Sequence, residues 1–359
     1  MKKWIITGGA GFIGCHAAAR LHAAGHHVVL VDNLSRRGAE ANLAWLRARG
    51  VTDFVWADIR DAHAMHALLA RHADADAVLH LAAQVAVTTS VADPRTDFAV
   101  NALGTLNVLE AVRTAASGRP AVLYSSTNKV YGDLEHVQVV ERDGRYAYAS
   151  LPPGVSEAEP LDFHSPYGCS KGAGDQYVRD YARIFGLKTV TFRQSCIYGT
   201  RQFGVEDQGW IAWFCIAATT GQPFTIYGDG KQIRDALWVD DLIDLYERAL
   251  KRIDVVAGEV FNIGGGPALT LSLNELVAKL EQALGRDLDP PLADWRPGDQ
   301  RVFVADIRKA RRLLGWAPRV APDEGVETLL DWVRENRALF GPPPLKIAPS
   351  QADHSGLAA

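Results

Sequence analysis

Short apolar runs, each closed by small or polar residues and separated by stretches of helical length, organise the chain up to about residue 195. Trp4-Ile5-Ile6-Thr7 runs into a glycine cluster, and residues 15–24 that follow are rich in Ala and Leu with no breaker. This pattern predicts strand, glycine turn and helix. The unit then recurs. Residues 28–31 end at Asp32, Phe54-Val55-Trp56-Ala57 at Asp58-Ile59, residues 77–81 at Ala82-Ala83, residues 121–124 at Ser125-Ser126-Thr127, and residues 188–192 at Arg193. Runs without an exposed polar face, alternating with helices, predict a parallel sheet covered on both sides. The fold class is therefore α/β, a Rossmann-type doubly wound parallel sheet, with ligands gathering at the carboxyl ends of the strands.

Beyond residue 195 the regularity changes. Aromatic and glycine-rich segments (198–213, 227–230) are interrupted by a helix start at Val239-Asp240-Asp241-Leu242 and a short strand, Val260-Phe261-Asn262-Ile263. The division expected is a first domain from 1–195 plus 236–264 and a smaller discontinuous C-terminal lobe from 196–235 plus 265–340. Residues 341–359, with three consecutive prolines and then small and polar residues, predict a disordered tail. The segment 133–161 is longer than a simple strand-to-helix loop and is expected to cover the site.

With 359 residues and 48% hydrophobic content the chain can bury a large core. A formal charge of -4 gives no electrostatic case for nucleic acid, and no dense basic patch is interleaved with aromatics. No run approaches the ~20 apolar residues that span a bilayer, and the first strand begins too early for a signal peptide, so a cytoplasmic protein without a membrane partner is expected. Cys15, Cys169, Cys196 and Cys215 lack metal-ligand spacing and read as reduced thiols, with no metal site.

Candidate chemistry sharpens this picture. Gly8, Gly11 and Gly14 permit a tight turn, close approach of a pyrophosphate and packing of the helix on the strand, while the helix N-terminus offers N–H groups to phosphates. Asp32 lies where a carboxylate holds the adenosine ribose hydroxyls, and its charge opposes a 2'-phosphate. NAD is thus favoured over NADP, with Arg36 and Arg37 nearby as the opposing feature. Asp58 is placed for the adenine edge, and Ala82 and Ala83 are small where backbone passes the cofactor; all three also suit ordinary strand ends. Asn101 opens a helix, as a cap or as a tie between the central strands. Tyr167 and Lys171, at positions i and i+4, share a helix face. An ammonium beside a phenol favours the phenolate, which suits a general base.

Together, Thr7-Gly8-x-x-Gly11-x-x-Gly14, Asp32, Asp58, Asn101, Ser125-Ser126-Thr127 and Tyr167-x-x-x-Lys171 resemble the extended short-chain dehydrogenase/reductase superfamily, the nucleotide-sugar epimerases and dehydratases, over residues 1 to about 335. Three longer runs resemble its CDP-paratose 2-epimerase branch, also called CDP-tyvelose epimerases: Ser126-Thr127-Asn128-Lys129-Val130-Tyr131-Gly132, Asp162-Phe163-His164-Ser165-Pro166-Tyr167-Gly168-Cys169-Ser170-Lys171-Gly172 and Asp299-Gln300-Arg301-Val302-Phe303-Val304-Ala305-Asp306.

The resemblance implies an NAD that is reduced and reoxidised within one turnover. Tyr167 would deprotonate the sugar 2-hydroxyl, Thr127 would hydrogen-bond the reacting oxygen, and Lys171 would lower the Tyr167 pKa and hold the nicotinamide ribose. Phe12, Ile13, Asn33, Ser35, Arg36, Ile59 and Leu81 would join Gly8, Gly11, Gly14, Asp32, Asp58, Ala82, Ala83 and Asn101 around the cofactor. For the substrate, Arg234 and Arg301 would take the nucleotide phosphates through bidentate guanidinium geometry. Arg201, Gln202, Gln208 and Trp210 would read base or sugar, Gln84 would line the pocket, and His164 would shape it or hold a loop. Cys196 is a departure, a thiol where many members carry Asn.

Dehydratases of this superfamily need an acid and a base directly after the Thr, typically Asp then Glu. Asn128 and Lys129 cannot serve as that pair. A 4-epimerase remains the rival, with a noncatalytic nucleotide-binding protein and an NADH-releasing dehydrogenase behind it. The partner implied is a nucleotide-diphosphate sugar, a CDP-sugar by preference, and the assembly a homodimer or homotetramer formed through the helices following Asn101 and carrying Tyr167.

Overall fold

The computed structural model describes residues 1–115, 118–296 and 299–341, so the tail expected from 341 onward lies, past Gly341, outside the described residues. In chain order the first half comprises β1 Lys3–Thr7, α1 Phe12–Ala23, β2 His27–Asp32, α2 Ala39–Arg47, β3 Phe54–Trp56, α3 Ala62–Arg71, β4 Ala77–His80, α4 Val87–Ala92, α5 Pro94–Phe98, α6 Gly104–Thr114 and β5 Ala121–Thr127. A hairpin, β6 Val139–Arg142 with β7 Arg145–Tyr148, precedes the long α7 Ser165–Phe185 and β8 Thr189–Gln194. There follow β9 Cys196–Tyr198, α8 Trp210–Thr220, β10 Ile226–Tyr227, β11 Ile233–Trp238, α9 Val239–Lys251, α10 Ile253–Val256 and β12 Val260–Ile263. The chain ends in β13 Thr270–Ser272, α11 Leu273–Leu284, β14 Leu292–Ala293, β15 Val302–Phe303, α12 Arg308–Leu314 and α13 Pro322–Glu335.

Seven parallel strands form the main sheet in the order β3-β2-β1-β4-β5-β8-β12. Every residue of β4 and β8 is buried, as expected of strands covered on both faces. Successive side chains go to opposite cores: Ile5, Val29, Val78 and Val122 pack with Val108 and Val112 of α6, while Ile6, Leu30, Leu79 and Leu123 pack with α1 and α9. The strand order reverses between β1 and β4, the switch point at which such sheets open a crevice. There the glycine turn is sterically required. Gly8 sits at φ +70, a side chain on it would meet the Ala82 nitrogen at 2.8 Å, and one on Gly14 would overlap the Gly8 carbonyl oxygen.

Two boundaries differ from those read off the sequence. β5 continues through Ser125, Ser126 and Thr127 because β8 pairs with it as far as Gln194, which carries Thr127 to the sheet edge. Asn101 does not open a helix; it lies within a π-helical turn, Ala99–Leu103, ahead of α6.

The second lobe is built around β11, which pairs antiparallel with β13 and parallel with β15 and β9. It runs through Trp238, its last three residues pairing with β9. α8, apolar on nearly every side, is buried against α11 and α13. α12 packs on β12 and α9, so part of the segment after 265 covers the seven-stranded sheet. The β6–β7 hairpin docks on this lobe: the Tyr146 amide donates to the Lys231 carbonyl at 3.1 Å, the Tyr148 hydroxyl donates to the Val302 carbonyl at 3.0 Å, and Val139, Tyr146 and Tyr148 cover Ile233, Val302 and Val304.

Candidate active site

At the carboxyl ends of the strands, a cleft of about 610 Å³ opens between the sheet and the second lobe. One wall is the glycine turn. α1 begins without a side-chain cap and without an acidic residue in its first turn, and Gly8, Gly11, Phe12, Ile13 and Gly14 line the cleft. Uncapped N–H groups and the positive dipole end favour a bound phosphate. At the end of β2, Asp32 accepts the Ala10 and Leu34 amides at 3.0 and 2.8 Å; burial raises its pKa while these donors oppose that rise. Asn33 donates to Asp58 at 3.0 Å, and Arg60 holds the Asp58 carboxylate at 2.7 Å, pulling its pKa down to about 2. Asp32, Asn33, Ser35, Arg36, Asp58, Ile59, Leu81, Ala82 and Ala83 all line the same space. Arg36 points across it, donating to Gln208 of the second lobe at 3.1 Å. A glycine turn, an uncapped helix and a ribose-directed carboxylate in one cleft fit a dinucleotide.

The other end of the cleft holds Thr127, Tyr167 and Lys171. α7 starts with Ser165 and Pro166 in its first turn, and its buried stripe runs Tyr167, Lys171, Asp175, Val178. The Tyr167 amide is held by the Ser90 hydroxyl at 3.1 Å, and the Thr127 side chain beside the phenol favours its charged form. The Lys171 ammonium donates to the Ser125 carbonyl at 2.5 Å and lies 4.3 Å from the Tyr124 ring centre. Here the expected electrostatics need correction. Burial pushes the Tyr167 phenol up to about 12, opposed by Thr127 but not by the lysine. Burial likewise pushes Lys171 down to about 7, and Asp175 and Asp97 support its charge.

Behind this set lie polar residues that the sequence reading passed over. His80 bridges Thr7 at 2.6 Å and Thr105 at 3.1 Å, its pKa lowered to about 3 by burial and by Lys171. Asp97 accepts Ser170 at 2.5 Å, Gln84 at 3.0 Å and Asn101 at 3.1 Å. Asp175 is gripped by both arms of Arg193. A signal for Asp175 existed, since it follows Lys171 at the same i+4 interval that links Lys171 to Tyr167.

Of the substrate candidates, Gln84, Cys196, Arg201, Gln202, Gln208 and Arg234 line the cleft, as does Trp210. Gln84 is already committed, its amide donating to the Ala86 carbonyl and to Asp97. Burial pushes the Cys196 thiol up to about 12, which leaves it a neutral wall residue. Three residues do not line the cleft. Asn101 ties the backbone of Gln84 to Asp97 and Ser170. His164 is braced between Asp133 at 3.0 Å and Asp162 at 3.1 Å, holding a loop. Arg301 stacks over Tyr146 and Trp295, at 5.3 and 5.7 Å from their ring centres. No residue of 133–161 is among the lining of the cleft, and the β6–β7 hairpin within it docks on the second lobe. Asn128 donates to Gln300 at 3.2 Å, and Lys129 lines the cleft beside Thr127.

The sequence profile of the NAD dependent epimerase/dehydratase family matches residues 4–264. The chain belongs to that family. It is 48% identical over 335 residues to the CDP-paratose 2-epimerase of Salmonella typhi, covering 92% of this chain and 98% of that protein. Among solved structures it resembles the UDP-glucose 4-epimerase of Thermotoga maritima with UDP-glucose, at TM-score 0.80 and 32% identity, covering 93% and 99% of the two chains. It also resembles the dTDP-glucose 4,6-dehydratase of Streptomyces venezuelae with NAD bound, at TM-score 0.79 and 30% identity over 94% and 98%. NAD is the cofactor of the family, and the glycine turn with Asp32 is built for it.

Proposed function

We propose that this protein is a nucleotide-sugar 2-epimerase that interconverts CDP-paratose and CDP-tyvelose. One observation carries the choice of reaction: identity of 48% over 92% of the chain to a CDP-paratose 2-epimerase, against 36% to a UDP-glucose 4-epimerase and 34% to a dTDP-glucose 4,6-dehydratase over like lengths. The site agrees, because Thr127 is followed by Asn128 and Lys129, and elimination of water would need a carboxylate pair there.

NAD, when bound, supplies a reversible acceptor for the hydrogen on the sugar's C2. Tyr167 takes the proton of the 2-hydroxyl as that C–H bond is given up, leaving a 2-keto sugar, and returns it to the same oxygen after the sugar has turned its other face. Thr127, beside the phenol, shares that oxygen and aligns it. Lys171, anchored on the Ser125 carbonyl, offers its remaining donors to the nicotinamide ribose. No net oxidation results.

Incubation of the purified protein with CDP-, UDP- and GDP-hexoses in heavy water, followed by NMR, tests the reading. Inversion at C2 of a CDP-sugar without solvent deuterium at that carbon is expected. Deuterium at C2 would sink the mechanism, and inversion at C4 of a UDP-sugar would transfer the protein to the 4-epimerases.

No helix among the described residues is long and apolar enough to cross a membrane, and the setting proposed is the cytoplasm. The assembly proposed is a homodimer joined through α5 to α7, where Phe98, Leu103, Tyr177, Ile184 and Phe185 expose apolar surface. Light scattering is expected to give twice the chain mass or a multiple of it; a monomer at micromolar concentration would exclude this assembly.

A further inference from the structure

We propose that Lys129 is a substrate-binding residue that, together with Arg234, holds the sugar-side phosphate of the nucleotide diphosphate and so helps bring C2 to Tyr167. The argument starts from where Lys129 sits. Thr127 closes β5, the chain enters the 3-10 turn Asn128–Tyr131, and the Lys129 amide donates to the Thr127 hydroxyl oxygen at 3.2 Å. The turn is pinned by Asn128 on Gln300 and by Gln300 on the Gly132 carbonyl. Thr127, Lys129 and Arg234 thereby line one cleft, though 234 belongs to the second lobe.

Two cations share this wall. Burial, and then the charge of Arg234, push the Lys129 pKa down to about 8, against the pull of Asp299 and Asp133. Both carboxylates are shared with other cations: Asp299 with Arg234 at 2.6 Å, and Asp133 with His164 at 3.0 Å. A low-dielectric wall carrying like charges is stabilised by an anion placed between them, and a phosphate oxygen accepting charge-assisted hydrogen bonds is such an anion.

Sugar geometry specifies which phosphate. In a nucleotide-linked hexose, C1 bears the diphosphate, C2 is its neighbour, and C4 lies across the ring. When the oxygen on C2 sits at Thr127 and Tyr167, the first phosphate is only one carbon and one oxygen beyond the reacting carbon, so it falls among the residues flanking Thr127. When C4 reacts, those residues meet the far side of the sugar. A lysine two residues past Thr127 therefore suits reaction at C2. The choice of the sugar-side phosphate rests on the 2-epimerase reading; an anion held between Lys129 and Arg234 does not.

Calorimetric titration of the full-length protein and its Lys129→Met and Lys129→Arg variants with CDP, CMP and cytidine separates the two parts. CDP carries the sugar-side phosphate and CMP lacks it. Lys129→Met is expected to weaken CDP binding by about 10- to 100-fold, the size of a charge-assisted hydrogen bond, and to leave CMP and cytidine unchanged. Lys129→Arg is expected to keep most of the CDP affinity and to report on the site if the Met variant folds poorly. Unchanged CDP binding, or an equal loss for CDP and CMP, would overturn the phosphate role. If wild-type protein leaves C2 of every CDP-sugar untouched while the CDP-specific loss remains, the 2-epimerase reading fails and the phosphate role stands.

Discussion

Replacing Tyr167 with Phe is expected to lower kcat by about 10²- to 10⁴-fold, the usual worth of a positioned general acid/base, with little change in melting temperature or in nucleotide affinity. The phenylalanine keeps the buried ring and the backbone contact to Ser90, and only the O–H is lost. Its importance follows from the electrostatics of the cleft. Burial holds the phenol near 12, above its ordinary value, and so disfavours the phenolate. The Thr127 hydroxyl lowers that cost, so Thr127→Val is the companion change, with a smaller loss in kcat. Steady-state kinetics by NMR on the same CDP-sugar, together with titration of CDP, checks both. A Tyr167→Phe enzyme retaining wild-type kcat would remove the tyrosine from the proton path, and a parallel loss of CDP affinity would make its role one of binding.

The sheet was legible because most of its strands are short apolar runs without a polar face, a pattern that needs no knowledge of partners. Their carboxyl ends were less so: Ser125, Ser126 and Thr127 are polar and yet continue β5, because β8 reaches alongside them. The glycine turn, Asp32, Tyr167 and Lys171 declared themselves through local spacing and Thr127 through the family resemblance, and the fold brings them to one cleft. Residues defined by distant partners did not. His80 joins Thr7 to Thr105, and Asp97 answers to Ser170, each across a separation that no short motif records. His164 and Arg301 looked like pocket residues because they sit in motif-rich runs; two flanking carboxylates capture the first, and the aromatic face of Tyr146 and Trp295 the second. Part of the 133–161 segment is placed by distant partners for a related reason, since its tyrosines serve the small core around Ile233 and Val302.

Asp175 marks where stability and chemistry meet, and its replacement by Asn is expected to cost about 3–5 kcal/mol of folding stability, the range for removing one partner of a buried ion pair. Its carboxylate is fully buried, receives Arg193 at 2.8 and 2.9 Å and Ser126 at 2.7 Å, while Arg193 continues to Tyr131 at 2.9 Å and Tyr131 to Asn262 at 2.7 Å. One side chain thus links α7, β5, β8 and β12, and the Asn variant would leave the Arg193 guanidinium buried without its counter-charge. Urea denaturation reads the loss, and restoring stability by also changing Arg193 to Met would assign it to the stranded charge. A second consequence concerns the active site. Asp175 is the leading group that supports the charge of Lys171, whose pKa burial has already brought down to about 7. Without Asp175 the lysine gives up its proton at lower pH, so the fraction carrying an ammonium at neutrality falls. The alkaline loss of any activity that needs that ammonium is therefore expected to begin at lower pH in Asp175→Asn than in the wild type, measured under conditions where the variant stays folded. An unmoved alkaline limb would confine Asp175 to holding the fold.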